Sequence, residues 1–139
     1  MIELDYALVL NHILTISTAF IITLPIAWDR ELDSVSAGLR TFPIVAIATC
    51  GFTLVGIEVL DTTGAEARVI QGIITGIGFI GGGAILKNSS SIAGTATAAS
   101  LWNTGAIGIA VAFHRIEIAL VLSAINFITL RYVKNFKQE

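Results

Sequence analysis

The strongest constraint in this sequence is where charge is missing. Uncharged runs occupy Tyr6–Trp28, Thr41–Ile57, Val69–Leu86, Asn88–Phe113 and Ile118–Leu130. Charged residues make up 13% of the 139, against 55% hydrophobic, where a water-soluble domain carries about a quarter of its residues as charges. A helix crossing a hydrocarbon core of ~30 Å needs about 20 apolar residues. The pattern therefore predicts one all-α domain over residues 1–139, a polytopic membrane helical bundle.

About five transmembrane helices are expected, near residues 6–28, 41–60, 69–86, 95–113 and 116–132. Pro25 falls near the end of the first, and Pro43 falls in the first turn of the second, where its missing N–H has no helical partner to lose. The fifth run is short. It spans the core only if His114, Arg115, Glu117, Arg131 and Tyr132 snorkel to the interfaces. The Met1-Ile-Glu-Leu-Asp start is acidic where a secretory signal is basic, so the first run reads as a retained helix.

Orientation follows from the Lys/Arg bias of short loops. With the N-terminus outside, Arg30, Arg40, Lys87, Arg131, Lys134 and Lys137 lie inside, against Arg68 and Arg115 outside. That count predicts N-out, C-in. The net charge of −2 points to no nucleic-acid partner. The expected partners are the lipid bilayer, further copies of the chain and other membrane proteins.

Glycine makes the third run unusual. Gly72, Gly76, Gly78, Gly81, Gly82 and Gly83 stand inside one apolar span, although glycine costs ~1 kcal/mol relative to alanine within a helix. One use is close helix packing through the pairs Gly72/Gly76 and Gly78/Gly82. Another is a helix broken at Gly81–Gly83 whose freed backbone groups line a cavity. The fourth run continues the theme, with Ala96, Ser100, Thr104, Gly108 and Ala112 at four-residue spacing. Trp102 stands off this small face, and Asn103 should find a hydrogen-bond partner in a neighbouring helix.

Asp29, Arg30, Glu31 and Arg40 form the candidate polar cluster, bracketing the link between the first two helices. They could hold an ion or gate a vestibule; they could equally be a salt-bridged corner. Glu58, Asp61 and Glu66 show no spacing that makes an oxygen cage, and His12 and His114 are isolated from other ligating residues. No metal site and no cofactor is expected. No catalytic set or nucleotide motif is present either, so the chain reads as a non-enzyme.

The segment Thr75-Gly-Ile-Gly-Phe-Ile-Gly-Gly-Gly-Ala-Ile-Leu-Lys87, followed by Gly94-Thr-Ala-Thr-Ala-Ala-Ser-Leu-Trp102 and Gly105-Ala-Ile-Gly108, resembles the signature of the MgtC/SapB family of bacterial inner-membrane proteins. Asp29-Arg30-Glu31 and Ala37-Gly-Leu-Arg-Thr41 resemble that family's elements after the first helix. Ala27 stands where the family has glycine. The resemblance implies a multi-pass plasma-membrane protein tied to magnesium limitation, acid stress and survival inside host cells. Some members are described as regulators of other membrane proteins; others carry names that say magnesium transporter. With the sequence ending at Glu139, a short form without the C-terminal cytosolic domain of longer members is expected. Two functions thus stand open: a regulator acting through membrane partners, and a small oligomeric ion transporter or channel linked to magnesium or protons.

Overall fold

A computed structural model describes residues 4–33, 37–87 and 92–133. The order of elements is α1 (Tyr6–Asp33), α2 (Thr41–Val59), α3 (Thr63–Gly83), β1 (Leu86–Lys87), β2 (Ile92–Ala93), α4 (Thr95–Ala112) and α5 (Ile116–Tyr132). Two of these, α1 and α2, contain a stretch long and apolar enough to cross a membrane.

Local chemistry sets the helix ends. The Asp5 carboxylate accepts from the backbone N–H groups of Ala7 and Leu8, capping α1. Thr62 caps α3 by accepting from Ala65 N at 3.2 Å, which satisfies an N–H that a helix start otherwise leaves open. Between α4 and α5, His114 turns the chain at φ 57. There His114 N donates to Val111 O and Arg115 N to Ala110 O, the two bonds of a Schellman motif. Glycine normally takes that left-handed position. At the other end of α4, Gly94 has φ 87, and a Cβ there would overlap the Ala84 carbonyl.

Three expectations need correction. Helix one runs on to Asp33, so Asp29, Arg30 and Glu31 sit in its last turns rather than in a loop. Helix three begins at Thr63, six residues before the expected Val69, because Glu66 and Arg68 are accommodated in its opening turns. Charge marks the edge of an apolar run, not the end of a helix. The loop after α3 also carries an unforeseen antiparallel pair, Leu86 with Ala93 and Lys87 with Ile92. The intervening Asn88–Ser91 and the basic residues Lys134 and Lys137 lie outside the described residues.

Helix α4 is the hub and packs against all four other helices. Its small residues make this possible. A Cβ on Gly108 would overlap Thr49 and the Ala46 carbonyl of α2, and one on Gly105 would overlap the Ile77 side chain of α3. Buried Ile26, Phe42, Ala46, Leu101, Ile107 and Val111 form the centre of the core. Three buried hydroxyls are satisfied within their own helices: Thr23, Thr53 and Thr104 each donate to the carbonyl four residues back.

Candidate functional site

The end of α1 meets the start of α2 and the end of α5. Trp28 points outward while Asp29 and Arg30 turn in, so two ionic side chains are buried side by side. Arg30 Nη2 donates to Asp29 Oδ2 at 2.7 Å, and Arg131 Nη1 of α5 lies 3.7 Å from Asp29 Oδ1. Asp29 is 1% exposed. A carboxylate so deep is tolerated because positive charge is brought to it.

Glu31 does something different. Its Oε2 accepts from Leu39 N at 2.8 Å, fastening the end of α1 to the approach of α2. Gly38 permits this, since a Cβ there would run into the Glu31 carboxylate and backbone. Arg40 begins α2 exposed, and its side chain makes no capping hydrogen bond. Of the four expected residues, then, Asp29 and Arg30 pair, Glu31 fastens a turn, and Arg40 stays at the rim. Arg131 joins them unannounced. In sequence Arg131 reads as an inner-side charge that snorkels at the end of the fifth helix, and no spacing rule links it to Asp29.

A second polar contact is equally without a spacing signal in the sequence. His12 Nε2 and Glu58 Oε1 are 2.6 Å apart, 46 residues distant in sequence, joining the start of α1 to the end of α2. His12 is therefore not isolated. Among the described residues, no three His, Cys, Asp or Glu side chains come together to hold a metal ion.

The glycines divide into two groups. Gly81 packs on α4, with a would-be Cβ 3.1 Å from the Ala98 carbonyl oxygen. Gly72, Gly76, Gly78, Gly82 and Gly83 have open space at the Cβ position. Helix α3 is continuous as far as Gly83, so no break occurs before that residue. Gly72 and Gly76 instead line a 650 Å³ apolar groove with Ala48, Phe52, Gly56 and Val69 between α2 and α3. A second apolar cavity of 440 Å³ lies over α4, lined by Trp102, Ala106 and Ile109 together with Ile74 of α3 and Leu122 of α5. Ser100 and Thr104 are buried. Asn103 Nδ2 reaches Leu122 O of α5 at 3.4 Å.

Fold and site together define a small all-helical bundle with a buried ionic cluster at one end and a glycine-bared apolar flank. The chain belongs to the MgtC family, whose family model matches residues 16–139. It is similar to YhiD of Escherichia coli K12, a protein whose name proposes a magnesium transporter, at 31% identity over 76% of this chain and 52% of that protein. SapB of Bacillus subtilis is 32% identical over 70% of this chain and 46% of its own length. For MgtC of Brucella abortus the figures are 34%, 66% and 38%. The chain thus spans about half the length of the first of these relatives. No solved structure matches it.

Proposed function

We propose that this chain is a multi-pass protein of the bacterial plasma (inner) membrane, with five spans, N-terminus outside and C-terminus inside. It acts as a regulator or stress-adaptation factor under magnesium limitation and acid stress, by engaging other membrane proteins. Family membership and the relatives' magnesium-related name support the setting. The apolar exterior supports the membrane, with Ile13, Phe52, Val55, Phe79 and Ile125 all exposed. The Lys/Arg bias supports the orientation.

One observation carries the regulatory reading: Gly72 and Gly76 stand uncovered in the α2/α3 groove. Bare glycine in hydrocarbon lets a second helix approach backbone to backbone, whereas lipid alone gains nothing from it. The test is growth of a deletion strain at limiting magnesium. Gly76→Leu is expected to abolish complementation at unchanged protein level and thermal stability. Full complementation by that variant overturns the reading.

Transport by a small oligomer is the second reading. What favours it is Asp29, buried with Oδ1 outside any hydrogen bond, since a carboxyl at depth is a common feature of ion pathways. Against it stands the core between the two ends, apolar and with the hydroxyls of Thr23, Thr53 and Thr104 bonded to their own helices.

A further inference from the structure

The 440 Å³ crevice over α4 is lined from three helices, α3, α4 and α5. Its floor is low because α4 presents Ala106 and Ala110 there, with Trp102 and Phe113 as the outermost lining residues of that helix. Ile74, Trp102, Phe113 and Ile118 are exposed along it, so the crevice opens outward onto the surroundings of the bundle. One charged residue lines it: Arg115, at the start of α5. Arg115 N is held by Ala110 O in the turn after α4. Its side chain is exposed and, among the described residues, forms no ion pair.

From Trp102 to Ala112, α4 rises ~15 Å at about 1.5 Å per residue, half of a ~30 Å hydrocarbon core. The crevice thus runs about one leaflet deep, with its single cation at the headgroup end. An acyl chain fills such a space without burying any polar group. A guanidinium matches phosphate oxygens with two parallel N–H donors. No carboxylate lines the crevice to receive an ammonium group, since Glu66 lies in a small adjoining cleft with Thr53 and Ile57 of α2. A headgroup of net negative charge therefore fits better than a zwitterionic one.

We propose that the α3/α4/α5 crevice is a binding site for one anionic phospholipid, with an acyl chain along Ala106 and Ala110 and the phosphate on Arg115. The proposal rests on the membrane-spanning reading above, but not on the α2/α3 groove or the regulatory role.

The test uses the full chain carrying Trp28→Phe, which leaves Trp102 as its one tryptophan, in vesicles of equal phosphatidylglycerol and phosphatidylethanolamine. Bromine is carried mid-chain on one lipid or on the other, and quenching of Trp102 fluorescence reports which lipid sits beside it. Bromine on phosphatidylglycerol is expected to quench more, by an amount that corresponds to about a five-fold preference, the gain from one cation near anionic lipid. Arg115→Gln should abolish that preference, Arg115→Lys should keep most of it, and Ala106→Leu should reduce it by filling the floor, each with an unchanged circular dichroism spectrum. Excess glycerol phosphate, matched in ionic strength by sodium chloride, should leave the preference intact. If it removes the preference, the site takes a free phosphate group and the lipid proposal falls. Equal quenching by the two labels, in protein that stays in the vesicles through an alkaline wash, overturns the proposal alone. So does a preference undiminished by Arg115→Gln. Protein that leaves the vesicles in that wash overturns this proposal and the membrane-spanning reading together.

Discussion

Asp29 of α1 and Arg131 of α5 face each other across 3.7 Å, the first sealed inside the bundle and the second 56% exposed at its side chain. One partner is fixed by burial and by Arg30, while the other reaches in from the surface. Their contributions should therefore be very unequal. Removing one member of a buried pair costs about 3–5 kcal/mol, whereas an exposed partner is worth about 1 kcal/mol or less. Asp29→Ala is expected to lower the unfolding midpoint strongly, and Arg131→Gln only slightly. Thermal unfolding in detergent checks both, and equal losses would contradict the arrangement.

Gly108 and Gly76 should respond oppositely to the same change. A methyl at Gly108 drives into Thr49 and the Ala46 carbonyl, and such overpacking costs about 1–3 kcal/mol. Open space surrounds Gly76, so Gly76→Ala should leave stability unchanged or raise it by up to ~1 kcal/mol. Denaturation midpoints of the two single variants decide this.

The left-handed His114 is costly for any residue with a Cβ, by roughly 1–2 kcal/mol. His114→Gly keeps the Schellman bonds, relieves that cost, and gives part of it back as unfolded-state entropy. A small rise in the melting temperature is expected. A fall would mean that the imidazole itself holds the turn.

The pair His12 and Glu58 is partly exposed, at 29% and 41% of their side chains. Its loss should therefore be mild. His12→Gln should cost less than about 1 kcal/mol and leave the other end of the bundle untouched, which a cysteine-accessibility assay at Arg40→Cys would report.

Much of the helical framework was legible because apolar run length dictates it: α2, α4 and α5 fall within about one residue of their expected limits. The early start of α3 and the extension of α1 were not, since Glu66 or Asp29 ends a hydrophobic run without ending a hydrogen-bonded helix. Glycine told of close approach but not of where. Gly108 and Gly81 are spent inside the bundle while Gly72 and Gly76 are not, a difference that depends on which helices become neighbours. The same holds for Asp29 with Arg131 and His12 with Glu58, pairs created by topology and carrying no spacing signal.

Regulation by engaging partners and conduction of ions part most sharply in one measurement: uptake of magnesium and of protons by liposomes containing the purified full chain. A purely regulatory protein gives flux no higher than in protein-free liposomes, and that is the result expected. Flux above that level, abolished by Arg40→Ala or Gly82→Leu, would contradict it.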